Sequence, residues 1–146
     1  MSNARKIPRQ IISPVELAAR DYWLENRNYQ AQIQKFRLPP WDERPEDSKI
    51  ICLSRVMAWA TVDDKPCPIK EHSEWARLCR KAGWRKGEYD LKRRTHPMLV
   101  EFGECPIWFQ AVTVLFCDTV TAWKPAIKEY LEPINGSLIP APGPSE

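Results

Sequence analysis

Residues 72–106, HSEWARLCRKAGWRKGEYDLKRRTHPMLVEFGECP, decide how this chain is read. Trp75, Leu78, Cys79 and Ala82 recur at i, i+3, i+4 and i+7, the spacing of one helix face, and Gly83 supplies the residue type that terminates helices. Residues 84–95 carry turn chemistry. Residues 98–102 follow Pro97 and include Val100 and Phe102, which favour a pleated environment, so they are predicted as a short extended piece within a small hairpin. Between Arg77 and Arg94 stand eight basic and two acidic residues, a local charge of +6 in a chain of net charge +3. The remainder therefore sums to −3, and the positive charge is concentrated on one helix end and the turn after it.

Upstream, Ser13, Pro14 and Glu16 form a helix start, with Ser as the capping residue, Pro in the first turn and Glu three residues after the cap. The first helix carries Val15, Ala18, Ala19, Tyr22, Tyr29, Ile33 and Phe36 mainly at helical spacing and ends before Pro39-Pro40. The loop through Trp41 leads to Pro45, which suits the first turn of a second helix whose predicted buried stripe is Ile50, Leu53, Met57 and Ala60, with Glu46 and Asp47 near its positive end. A Pro-Cys-Pro linker at 66–68 precedes the third helix. The last helix is predicted to begin near Pro106, to turn Trp108, Ala111, Val112, Leu115, Phe116, Thr119 and Trp123 to one broad face, and to be broken or bent at Pro125.

At 146 residues the chain supports one hydrophobic core, with seven Trp, four Tyr and four Phe offsetting fourteen prolines. The expected organisation is a flexible basic lead at 1–12, one domain at 13–131, and a flexible Pro/Gly/Ser-rich tail at 132–146. Five scattered cysteines without a C-x-x-C pair point away from a disulfide framework or zinc ribbon, so each reads as a small buried hydrophobe in a cytoplasmic protein. The apolar run from Ile107 to Cys117 is too short to span a bilayer, which takes about 20 residues. No cofactor, metal or membrane partner is expected.

The ordered positions Trp75-Ala76, Gly83-Trp84, Gly87, Asp90, Thr95-His96-Pro97, Leu99-Val100, Phe102, Glu104 and Pro106 together resemble the ryanodine receptor repeat (RyR) domain. Ala18, Tyr22, Pro39-Pro40-Trp41 and Glu46 extend the resemblance to single-repeat proteins of bacteria and bacteriophages, over residues 15–124. The chain departs from that pattern at Lys86, where members carry Tyr, and at Val112-Thr113, where they carry Lys-Asp. The resemblance implies a mainly α fold, a compact bundle of about four helices with a short extended or hairpin element, and a binding module rather than an enzyme.

His72 and His96 are the only histidines, and no nucleophile frame or phosphate-cradling glycine loop accompanies them. Both are read as structural, and Trp75 and Trp84 as core residues. If a ligand site exists, the cationic turn beside aromatics supplies it: Trp84, Arg85, Lys86, Tyr89, Arg94 and His96, with Trp41 from the preceding loop. Arginine forks suit phosphate oxygens and rings stack on bases, so a nucleotide-like or phosphorylated small molecule is the leading expectation. A protein-interaction or assembly module is the alternative, and nucleic-acid binding through residues 77–94 ranks third.

Overall fold

A computed structural model of the chain describes residues 13–33, 35 and 37–138, with side chains as far as residue 132. The lead at 1–12, Phe36 and residues 139–146 lie outside the described residues. Helix α1 (Pro14–Gln32) starts as predicted: the Ser13 hydroxyl accepts the Glu16 N–H at 3.3 Å, and Pro14 sits in the first turn. Val15, Ala18, Ala19 and Tyr22 are buried, and Trp23, Asn26 and Gln30 extend that face toward the helix end. A 3-10 turn, Trp41–Glu43, follows in a loop pinned to α1, because Trp23 Nε1 donates to the Pro39 carbonyl at 2.7 Å and Arg27 Nε to the Leu38 carbonyl at 3.2 Å.

Helix α2 (Glu46–Ala60) buries Ile51, Cys52, Arg55, Val56 and Ala60. Of the predicted stripe Ala60 is buried, but the rest is out of phase: Ile50 is 59% exposed and Met57 37% exposed, while Leu53 is half-buried. The physical reason is Arg55, a charged residue at the middle of the inward face, which an apolar count assigns to solvent.

Helix α3 (Pro68–Lys81) runs to the Gly83 stop, where φ is +97°, a conformation that favours glycine. Its neighbours correct two expectations. Trp84 is buried, but Trp75 is only half-buried. Cys52, Cys79, Cys105 and Cys117 are buried, whereas Cys67 is half-buried at the start of α3, where the Lys70 and Ile69 backbone N–H groups lower its thiol pKa.

Strands β1 (Arg85–Lys86) and β2 (Thr95–His96) pair in parallel, with Arg85 opposite Thr95 and Lys86 opposite His96. An antiparallel bridge between Asp90 and Thr95 closes the hairpin-like turn between them. The extended element thus falls at 95–96, and residues 98–102 form no strand. Side chains replace the ladder there: Met98 N–H donates to His96 Nδ1, Arg80 to the Leu99 carbonyl, and His72 Nε2 to the Val100 carbonyl at 2.7 Å. A backbone satisfied in this way has no need of a strand partner.

Helix α4 (Ile107–Leu138) touches each of the other three helices. It is not broken at Pro125 and passes the expected domain end at 131. Proline removes one backbone hydrogen bond, but the turns around it are held from outside: Trp123 Nε1 donates to Asp21 at 2.8 Å, Lys124 Nζ to the Asp64 carbonyl at 2.8 Å, and Ile127 is wholly buried. Its predicted face is only partly buried: Val112 and Phe116 are enclosed, with Thr113, Cys117 and Val120, while Trp108, Leu115 and Trp123 are half-buried.

One core cluster lies between α1, α2 and α4, and a second between α2, α3 and the segment around Leu99. Joining them is a buried ion pair, Arg55–Glu71, with Arg55 Nε donating to Glu71 Oε2 at 2.6 Å and Trp59 Nε1 to Glu71 Oε1 at 3.0 Å. Burial acts to lower the Arg55 pKa, but Glu71, Cys52 and Tyr22 together outweigh it and raise it above the usual value. Glu71→Ala, which strands the arginine charge, is expected to destabilise the fold by about 3–5 kcal/mol. The double change Arg55→Met with Glu71→Leu is expected to cost much less, as measured by urea denaturation.

Candidate functional site

Behind the loop at 37–45 lies a cavity of about 920 Å³, within the range of roughly 300–1,000 Å³ that small-molecule sites occupy. Four parts of the chain wall it. Helix α1 contributes Tyr22, Trp23, Asn26, Arg27 and Gln30; the loop contributes Arg37 to Pro40 and Glu43 to Pro45; α2 contributes Ser48 and Arg55; and Trp75, Trp84, Tyr89, His96 and Phe109 form an aromatic wall.

His96 is the hub of that wall. Its ring centroid lies 5.1 Å from that of Trp75, 5.5 Å from Tyr89, 5.9 Å from Phe109 and 6.4 Å from Trp84, with the Trp75 and Tyr89 contacts edge-to-face. Because the Met98 N–H donates to His96 Nδ1 at 3.1 Å, Nδ1 carries no proton and the neutral ring holds it on Nε2. Burial lowers the His96 pKa to about 4, and the charge of nearby His72 acts in the same direction. A neutral ring leaves the wall apolar enough to stack against.

The loop supplies the cation. Arg44 lies over the Trp23 ring, its guanidinium carbon 3.7 Å from the ring centroid, and 5.2 Å from that of Trp41. Burial lowers its pKa, an effect that Cys52 and Tyr22 oppose, and a guanidinium remains charged at neutral pH. Arg44 Nη1 is buried and has no hydrogen-bond partner among the described residues; the same holds for Gln30 Oε1. Arg55 also lines the cavity, but Glu71 neutralises it. A second cleft of about 590 Å³ shares Arg27, Gln30, Arg37 and Leu38 with the first and adds Lys35, so the approach carries positive charge.

Of the residues singled out in the sequence, Trp84, Tyr89 and His96 line this cavity. Trp41 is buried beneath Arg20 and Arg44. Arg94 pairs with Asp47, which also accepts from Trp84 Nε1 at 3.4 Å. Arg85 and Lys86 are exposed on β1 and do not line the cavity. The sequence reading passed over Asn26, Gln30, Arg44 and Phe109. For two of them a signal existed, since Asn26 and Gln30 continue the buried Tyr22 row at steps of four, and polar side chains on an inward face need a partner.

Among the described residues, no helix is long and apolar enough to cross a membrane, and no group of three or more His, Cys, Asp and Glu is placed to hold a metal ion. No family model, no curated protein and no solved structure matches the chain.

His96 gives the cavity wall a pH signature. Its folded-state pKa of about 4 lies below the unfolded value of about 6.5, so between these values the unfolded chain binds more protons. The associated stability is complete above about pH 6.5 and is lost as pH falls toward 4, by up to about 3 kcal/mol. His96→Gln is expected to flatten this part of a denaturation-versus-pH curve; an unchanged slope would assign it to another group.

Proposed function

We propose that this chain is a non-enzymatic, RyR-like recognition module that holds a nucleotide-like or other phosphorylated small molecule in the aromatic cavity. The observation that carries this reading is Arg44 Nη1, a buried donor without a partner among the described residues, on a residue that lines the pocket together with the aromatic wall. A buried N–H left unsatisfied is costly, and a phosphate oxygen satisfies it with a charge-assisted bond. The stack on Trp23 fixes the guanidinium before a ligand arrives.

The aromatic wall suits a planar base, because stacking needs only a π-face and each ring here is already oriented by its neighbours. Arg27, Lys35 and Arg37 favour an anionic ligand at the approach. The resemblance to RyR repeats supports the choice of a recognition role, and the bacterial or bacteriophage setting rests on that resemblance alone. In this reading the phosphate is held by the loop and α1 rather than by Arg85 and Lys86.

A thermal-shift panel of nucleotides, dinucleotides and ADP-ribose-type compounds tests it. A ligand at 100 times its dissociation constant stabilises by about 2.7 kcal/mol. Arg44→Met, which keeps an apolar chain over Trp23, is expected to abolish that shift, whereas the double change Arg85→Ala and Lys86→Ala is expected to retain it. The opposite pattern would move the site to the cationic turn. No shift with any compound would overturn the small-molecule reading in favour of a protein partner, and binding to unrelated nucleic acids that weakens steeply with salt would replace it with a polyanion.

A further inference from the structure

We infer that His96 Nε2–H is a hydrogen-bond donor of the cavity and that the ligand presents to it a ring nitrogen on the edge of a base; this rests on the nucleotide reading of the same site. The imidazole has one orientation. Met98 N–H donates to Nδ1 at 3.1 Å, and turning the ring over would set a carbon against that N–H. The same bond fixes the tautomer, because an acceptor at Nδ1 leaves the proton of the neutral ring on Nε2. Protonating Nδ1 would set two N–H groups against each other, and burial already holds the pKa at about 4. The donor is therefore neutral at physiological pH and keeps a single direction.

Nε2–H is also uncommitted and open. None of the described residues accepts from it, and it is not among the buried polar atoms left without a partner, so solvent reaches it. The rings that pack around the imidazole, Trp75, Trp84, Tyr89 and Phe109, all line the cavity as His96 does, so the opening to Nε2 lies on the cavity side. Trp84 Nε1–H, by contrast, is committed to Asp47 at 3.4 Å. A base in this wall is held by its faces, and stacking is indifferent to the atoms on its edge. An N–H is not indifferent. Water satisfies it in the empty cavity, and a base that covers it with a C–H leaves it without an acceptor. A ring nitrogen replaces the water, since its lone pair lies in the plane of the base. The phosphate is drawn elsewhere, to the loop where Arg44 lies over Trp23.

Isothermal titration of the whole chain with AMP and its 1-deaza, 3-deaza and 7-deaza analogues tests the assignment. Adenine has no carbonyl, and each analogue replaces one of its ring-nitrogen acceptors by C–H. One analogue is expected to bind about tenfold more weakly than AMP and the other two to match it, as for sites built to hydrogen-bond a group that the analogue lacks. In His96→Phe, which keeps a ring in the wall, AMP is expected to fall to the level of that analogue. Imidazole 15N spectra of the unaltered chain, which has two histidines, decide the matter if His96→Phe does not fold: AMP is expected to shift the His96 Nε2 resonance and the weakened analogue to leave it near its unliganded position. Equal binding of all four compounds by the unaltered chain overturns this inference while leaving the nucleotide reading standing. A weakened analogue that shifts Nε2 as AMP does, or that stays weaker than AMP in His96→Phe, gives the ring nitrogen another partner and overturns it as well. Failure of all four compounds to bind overturns the nucleotide reading and this inference with it.

Discussion

The Arg55–Glu71 ion pair is the constraint to which the other elements conform. Glu71 is completely buried, and a carboxylate in that position is tolerable only with strong donors on both oxygens. Arg55 and Trp59 from α2 provide them, and the Arg55 guanidinium also rests 4.1 Å from the centroid of Phe116 on α4. Three helices thus meet at one pair of charges. Their mutual rotation follows, since α2 must turn Arg55 inward and consequently exposes Ile50 and Met57. The pair also shapes the electrostatics of the cavity, where Arg55 is cancelled by Glu71 while Arg27, Arg37, Glu43 and Arg44 leave a positive balance at the wall.

Three of the eight clustered basic residues between Arg77 and Arg94 are engaged by neighbours outside the turn at 84–96. Arg77 pairs with Glu74, Arg80 reaches the Leu99 carbonyl, and Arg94 joins Asp47 at the start of α2. Asp47 has its carboxyl pKa lowered, with burial opposing the Arg94 and Trp84 hydrogen bonds that stabilise the charged form. A single acidic residue therefore links the orientation of Trp84 in the cavity wall to the start of α2. Gly87 permits this arrangement because a Cβ there would approach Thr95 Cβ to 3.1 Å, closing the gap between β1 and β2.

The elements legible in the sequence are those whose information is local. The Ser13-Pro14-Glu16 start, the Gly83 stop and the helical spacing after Pro68 each depend on a few adjacent residues, and each holds in the structure. What local pattern missed depends on partners distant in the chain. The phase of α2 is set by Glu71, the course of residues 98–102 by donors from Arg80 and His72 and the acceptor of His96, and the persistence of α4 through Pro125 by Asp21 and Asp64. The cavity follows the same division. Its aromatic wall lies in the stretch that drew attention first, but Gln30 and Arg44 acquire their character only when α1 and the 37–45 loop enclose them.

If the cavity holds a ligand as proposed, the loop beside it has a consequence for binding kinetics. With its carbonyls held by Trp23 and Arg27 and Arg44 stacked between two tryptophans, its conformational freedom is removed when the chain folds rather than when a ligand arrives. Little ordering entropy then remains to be lost on association, which is the advantage of a preorganised site. Entry needs no refolding of the loop, so related ligands would arrive at similar rates and differ mainly in how long they stay.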